Sequence, residues 1–496
     1  MLHVTDWFQL GVAMYLDFAI TRNILAFGVG YLCLQNVLRF RRERALITRY
    51  RKFTAITPSN DSKAPHYLEQ SARNPNGVKV DDGRKGLDLS KMSFLQASEI
   101  QRDLSHLEFP YTFGHSLELG FIQTLAFPYP AKILNDTRQI SRPEAMPKRL
   151  ADTSILMQNI YNFPPDHPRF QLAISRINYI HSRYTRIQNP DMLYTLAVFA
   201  CNPWDYVDRD EWRQMNVLEV AGLGTFWKNI GECLKVDMTF IKNMAITHAS
   251  VNESGRKDVA AYTSSDTEGW RDGYDFMLDL RAYMRWHETG FAEFSQDVDA
   301  LVSTTFDVGT QYIPTAGLQR LVKDILVTEF QEKWQRAMGY VQREHAKTDA
   351  GTNSHYLDSR PPPNIWTSSI FRYFISIRRF YLRHLALPAF WSSERTSPDP
   401  DPKTGLYQQV DYVTFPYYVR PSLWNRYGPA TWPSWLFGVP LPGDEGVKYR
   451  PEGYSLEEIG PERMEGKGKE WMEEDRRWCQ EMMGASICPF ATMMRQ

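Results

Sequence analysis

The chain predicts a mostly α-helical protein with an apolar amino-terminal helix, a helical body and an irregular, aromatic-rich carboxyl-terminal extension. Three observations predict it. Apolar residues recur at three-to-four-residue spacing through most of the chain beyond the first quarter, the stripe of a helix buried on one face. Two-residue alternation, which marks half-buried strands, is scarce. One long apolar run, and one alone, stands near the amino terminus.

That run, Asn23 to Leu38, is bracketed by Arg22 and Arg39. With Ala19 and Ile20 it approaches the roughly 20 residues that span a bilayer, so residues 20–40 read as a transmembrane helix inside an anchor of residues 1–45. A cleaved signal peptide carries its positive charge ahead of the apolar run. Here Asp6 and Asp17 precede it and Arg39, Arg41, Arg42 and Arg44 follow, so the segment reads as a retained single-pass anchor. Arginines on its carboxyl side put the amino terminus in the lumen and the body in the cytosol. An amphipathic helix over residues 8–20, lying in the interface, is the competing reading.

Residues 46–92 read as a flexible tether, because Pro58-Ser-Asn-Asp-Ser-Lys, Asn74-Pro-Asn-Gly and Asp81-Asp-Gly-Arg-Lys-Gly are too polar to bury a face. Residues 93–345 form the helical body, with stripes at Lys91–Leu107, Phe113–Leu125, Pro147–Tyr161, Phe170–Thr185, Met192–Cys201, Val217–Leu234, Trp270–Trp286 and Leu318–Tyr340. Loops are expected at Ser250–Thr267, Lys347–Pro363 and Ser392–Thr404. Residues 346–496 form an extension packed on the core. It holds a helix at Ile370–Leu387 and a stretch from Arg420 to Gly443 whose prolines and glycines forbid a regular helix. Its tryptophans Trp424, Trp432 and Trp435 suit a roof over an apolar pocket, a membrane-interface patch or an irregular packed segment alike. Glu465–Gln496 reads as a charged tail.

Composition excludes several functions. With 57 basic against 58 acidic residues there is no electrostatic footprint for nucleic acid. Cys33, Cys201, Cys233, Cys479 and Cys488 stand in unrelated contexts, without a C-x-x-C pair or a disulfide framework. No G-x-G-x-x-G follows a strand, and Walker and G-x-S-x-G motifs are missing. Gly222-x-Gly224 lies in a helical pattern and reads as close packing.

Two places carry chemistry. His181 shares a helical face with Phe170, Ile174, Ile177 and Tyr184, which puts an imidazole on a stripe that should be buried. Such a ring needs a partner at each nitrogen, and a hydrogen-bonded core histidine and an iron ligand both meet that need. On a helix opening at Pro147, Arg149, Asp152 and Thr153 fall at i, i+3 and i+4. An exposed Arg149–Asp152 pair and a buried catalytic patch are both consistent with that spacing. A non-haem iron held by His181, His248 and His287 is a further reading, although no tight two-histidine, one-carboxylate spacing supports it.

Arg149-x-x-Asp152-Thr153, Ile-His181, Asp191-Met-Leu-Tyr-Thr-Leu-Ala-Val-Phe-Ala200, Glu211-Trp-Arg213, Gly224-Thr-Phe-Trp-Lys-Asn-Ile-Gly231 and Arg420-Pro-x-x-Trp-Asn-Arg-Tyr-Gly-Pro429 together resemble a known family. It unites the fungal endoplasmic-reticulum-bound oxygenases of mycophenolic acid biosynthesis with the bacterial latex-clearing rubber oxygenases. The resemblance implies a globin-like helical oxygenase domain in the endoplasmic-reticulum membrane, using dioxygen and haem b on a hydrophobic prenylated substrate and cleaving an isoprenoid double bond. It implies His181 as the iron ligand, Arg149 as a cofactor-binding residue, and Arg149, Asp152 and Thr153 as catalytic residues. The rubber-cleaving branch has a lysine where this chain has Asp152, so a lysine-capped iron is not expected. Asp152 in that place either acts on bound oxygen or substrate or forms a simple ion pair with Arg149. A membrane-anchored prenyl- or lipid-binding protein without catalysis is the alternative.

Overall fold

A computed structural model describes residues 23, 25–53, 89–244, 250–251, 257–258, 270, 272–340, 360–390, 396–412 and 415–485. Most of the expected tether and His248 lie outside them. Among the described residues the only paired strands are Ser250–Val251 and Lys257–Asp258, joined antiparallel. The remainder is helical or irregular: α1 (residues 25–39), α2 (Arg41–Arg49), α3 (Phe94–Asp103), α4 (Pro110–Thr124), α5 (Pro128–Thr137), α6 (Met146–Asn162), α7 (Pro168–Ser182), α8 (Asn189–Asp210), α9 (Val217–Cys233) and α10 (Thr239–Met244) come first. They are followed by α11 (Gly273–Phe291), α12 (Gln296–Thr310), α13 (Ala316–Thr328), α14 (Glu332–Ala337), α15 (Ile365–His384), α16 (Leu423–Tyr427), α17 (Trp432–Phe437) and α18 (Lys469–Ala485).

The core forms around α9, whose residues are all buried apart from Glu232. A helix that is apolar on every side must sit at the centre. Its start is fixed by a capping box, Asn216 Oδ1 accepting from Glu219 N while Glu219 Oε2 accepts from Asn216 N. Arg213 then clamps Glu219 at 2.7 Å and Glu108 at 2.9 Å. Burial pushes the Glu108 carboxyl up to about 7, although Arg213 pulls the other way. The glycine pattern is explained by helix contact: a Cβ at Gly224 would lie 1.8 Å from the Gly273 carbonyl oxygen, and one at Gly222 would lie 2.8 Å from Ile100. Backbones of α9 and α11 touch there, and only glycine permits it.

Several elements depart from expectation. The Leu318–Tyr340 stripe divides into α13 and α14, because a turn between them carries Phe330 into the core beside Trp334. Helices α5 and α12 were not evident as stripes; α5 opens on Pro128, and Ser295 caps α12 by accepting from Val298 N. The charged tail is in its first half a helix, α18. Met472, Asp475 and Cys479 form a buried stripe on it, with Asp475 accepting from Asn178 of α7 (2.9 Å) and pairing with Lys235 (2.6 Å). The charges that suggested a tail occupy its outer face.

The transmembrane expectation is also revised. Among the described residues no helix is long and apolar enough to cross a membrane; residues 1–22, including the competing 8–20 segment, lie outside them. Within α1, Tyr31, Gln35 and Arg39 form a polar stripe at i, i+4 and i+8. Tyr31 Oη donates to Leu385 O (2.6 Å), Gln35 Nε2 to His384 O (3.0 Å), and Arg39 to the carbonyls of Leu382 and Arg383 (2.6 Å each). These side chains satisfy the open carbonyls at the end of α15. Averaged hydropathy over the run conceals that stripe.

Candidate active site

Residues 163–167 connect α6 to α7, so the last turn of α7 returns beside the first turn of α6. His181 and Arg149 consequently line one small chamber of about 170 Å³, walled by Phe127, Ile133, Leu134 and Met192. Among the described residues no group hydrogen-bonds the imidazole. Burial, with the Arg149 charge added, pulls His181 down to about 4, so the ring is neutral at physiological pH and free to ligate. Burial also draws the Arg149 guanidinium below its ordinary value, against the pull of Asp152.

The other side of α6 faces a second chamber, of about 790 Å³, lined by Phe113, Leu117, Phe121, Leu150, Met157 and Phe306. Thr153 lines this one. Arg149 Nη1 donates to Thr153 Oγ1 at 2.6 Å, and Thr153 Oγ1 donates back to Arg149 O at 2.8 Å. That pair is a polar link between the two chambers.

Asp152 is placed differently from the expectation. It lines neither chamber. It is buried, with Oδ2 accepting from Lys148 Nζ and Oδ1 from Tyr418 Oη, both at 2.8 Å. Burial pushes its carboxyl up, while Lys148 and Tyr418 pull it back. The expected Arg149 ion pair is therefore replaced by Lys148, one turn earlier on the same helix, because position 152 turns away from position 149 and under Tyr418. Lys148 also meets Glu465 at 3.2 Å, which ties α6 to the carboxyl-terminal extension.

The structure adds residues that spacing did not reveal. Asp191 lines the small chamber with Oδ2 unpaired, and burial pushes it up to about 6. An acid in a first helical turn behind a proline reads as a dipole partner, which hid it. Tyr161 lines the large chamber with its hydroxyl unpaired, and burial raises it well above its ordinary value; a tyrosine on a core stripe gives no signal. His287 lies behind the small chamber, packed at 5.0 Å and 4.9 Å on the lining residues Phe127 and Tyr194. No group of three or more His, Cys, Asp or Glu suited to a metal occurs among the described residues, so the three-ligand non-haem reading gains no support there. Among its described residues the segment from Arg420 to Gly443 lines neither chamber and holds Trp424 and Trp432 exposed, so the roof reading gains no support there.

Comparison with curated proteins supplies the class, an oxygenase. The chain is 28% identical over 395 residues to the ER-bound oxygenase mpaB' of Penicillium brevicompactum, covering 78% of this chain and 82% of that one. It is 27% identical over 370 residues to the ER-bound oxygenase mpaB of the same fungus, covering 74% and 77%. A third relative, the ER-bound oxygenase mpaB of Penicillium roqueforti (strain FM164), is 34% identical over 151 residues, which is 30% of this chain and 51% of that one. No family model matches the chain. The chain is thus similar to the MpaB ER-bound oxygenases, and that likeness supports an oxidoreductase.

Proposed function

We propose that the protein is a haem b oxygenase associated with the endoplasmic reticulum that cleaves a carbon–carbon double bond in a farnesyl-like chain of a prenylated secondary metabolite. The product of that cleavage is a shortened chain ending in an aldehyde, which a separate two-electron oxidant would have to take on to an acid. The observation that carries this reading is the pair of chambers across α6: a neutral, unpartnered imidazole beside an arginine on one side, and a large, mostly apolar chamber on the other.

The donors fit an iron porphyrin. His181 offers the ligand nitrogen, and Arg149 offers a cation for a propionate. At about 170 Å³ the chamber is below the roughly 300–1,000 Å³ of ordinary small-molecule sites, so the donor set of His181 and Arg149, and not the volume, supports this cofactor. When bound, such a group supplies the activation of dioxygen that no side chain can perform. In the simplest balance one dioxygen gives both oxygen atoms of the two carbonyl groups formed, and no reductant is consumed.

The chain's own residues bind, orient and handle protons. Thr153 holds the Arg149 guanidinium in place by accepting from Nη1. Asp191, half-titrated near pH 6, can keep or release a proton at Oδ2 within the small chamber. At about 790 Å³ the large chamber lies within the usual ligand range, and each methylene buried there contributes about 0.8 kcal/mol. Tyr161 offers its unpaired hydroxyl to an oxygen on the substrate. Asp152, locked by Lys148 and Tyr418, positions α6.

The test is turnover by the detergent-purified protein, in air, on an aromatic compound bearing a farnesyl chain. Products lacking the distal isoprene units and carrying a new carbonyl are expected. Stoichiometric binding of the compound with no product, by protein that contains haem, would contradict the reading and favour a binding protein.

A further inference from the structure

Helix α15 is amphipathic in the inverted sense. Its one buried residue is Ser368, whose hydroxyl hydrogen-bonds Thr328 Oγ1 at 2.9 Å. Trp366, Ile370, Tyr373, Phe374, Ile377, Phe380 and Tyr381 stand exposed, Trp366 at 76% and Phe374 at 61%. They fall at i, i+4, i+7, i+8, i+11, i+14 and i+15, the stripe that a water-soluble helix turns inward. Beside it α1, bonded to the end of α15 through Tyr31, Gln35 and Arg39, exposes Leu25, Phe27, Val29, Leu34 and Val37. An apolar face of this extent marks an interaction surface.

Its chemistry selects the partner. Helix α15 has no acidic residue and exposes Arg372 and Arg383, and α2 exposes Arg41, Arg44 and Arg49 with Glu43 its one acid, whereas Arg39 and Arg379 are spent inside the protein on the α15 carbonyls and Asp210. Aromatic and aliphatic side chains on one face with arginines at its margins are the pattern of a helix lying in the plane of a bilayer. Each exposed arginine near an anionic leaflet strengthens the attraction, and a helix of 20 residues lies about 30 Å along the surface. The face also adjoins the large chamber. Arg378 stacks 4.4 Å over the ring of Tyr111, and Tyr111 lines that chamber together with Leu326 of α13, the helix packed on α15.

We infer that α15, with α1, is a monotopic membrane-contact surface that seats on an anionic phospholipid bilayer and holds the mouth of the large chamber at the acyl boundary. A lipophilic substrate then enters from the membrane without crossing water. This deepens the proposed membrane association and is independent of the cofactor.

The experiment uses the full chain with Cys33→Ser, Cys488→Ser and Phe374→Cys, labelled at residue 374 with the polarity-sensitive fluorophore nitrobenzoxadiazole. Mixed with phosphatidylcholine vesicles containing phosphatidylserine, the label should shift to the blue and brighten several-fold, and less so without phosphatidylserine. In parallel, Ile370→Glu/Phe374→Glu/Ile377→Glu should cut the fraction floating with those vesicles several-fold, with an unchanged circular dichroism spectrum. An emission that ignores vesicles to which the protein is bound, or a triple variant that floats like the wild type, overturns the inference. Turnover of detergent-dispersed substrate by the triple variant reads the proposed chemistry separately, so either proposal can fail without the other.

Discussion

Replacing Asp152 decides whether that carboxylate acts on substrate or holds the site together. It is 1% exposed and pairs with Lys148, itself 12% exposed, at 2.8 Å. Breaking a buried ion pair costs about 3–5 kcal/mol when the other charge is stranded. Lys148 keeps Glu465 at 3.2 Å and the Gly460 carbonyl at 2.8 Å, which puts this loss at the low end, about 3 kcal/mol. Tyr418 also loses its acceptor, and an unpaired buried hydroxyl adds about 1 kcal/mol or more. Asp152→Ala should therefore lose about 4 kcal/mol, and Asp152→Asn, which keeps an oxygen for Tyr418, about half of that. Urea unfolding followed by circular dichroism at pH 7 reads both: the midpoint should fall while the slope stays constant. Turnover per folded molecule should stay within about threefold of wild type, a change worth less than 1 kcal/mol. An Asp152→Asn protein as stable as wild type but slowed a hundredfold would refute this and return Asp152 to the chemistry.

Gly224→Ala should destabilise by more than the roughly 1–3 kcal/mol of ordinary overpacking, despite alanine's better helix propensity, because its Cβ would lie 1.8 Å from the Gly273 carbonyl oxygen; thermal melting checks this. His287 is held neutral, drawn by burial from 6.5 down to about 4, so the unfolded chain takes up a proton that the fold refuses, and stability falls as pH drops from 6.5 towards 4. In His287→Phe that acid-side loss should shrink when urea midpoints are compared across the window. Leu150→Trp, which fills part of the large chamber, should raise KM for a farnesyl-length substrate at least tenfold and leave that for a single-prenyl substrate nearly unchanged.

Much of the helical body was legible because its stripes are long: α6, α7 and α9 all cover runs whose periodicity is plain in the chain. What periodicity hides is which polar groups share a stripe with apolar neighbours. The buried face of α18 has few residues between charges, and the polar stripe of α1 disappears in an apolar average. Arg149 and Thr153 were readable as neighbours at i and i+4, and the hydrogen bond between them follows from that spacing. The partners of Asp152 were only half readable. Lys148 is local, but Tyr418 arrives from 266 positions away, and no local pattern encodes it. Asp191 and Tyr161 were invisible as site residues for the same reason, since a chamber wall is assembled from helices distant in sequence.

Absorption spectra of the detergent-purified wild type and of His181→Ala, with iron and extracted porphyrin quantified in each, test the central claim most directly. The account predicts a Soret band with iron and protoporphyrin in equal, near-stoichiometric amounts for the wild type, and a folded but colourless His181→Ala protein without turnover. A wild type that is active while free of iron and porphyrin, or a His181→Ala variant that keeps its haem and its rate, would contradict it.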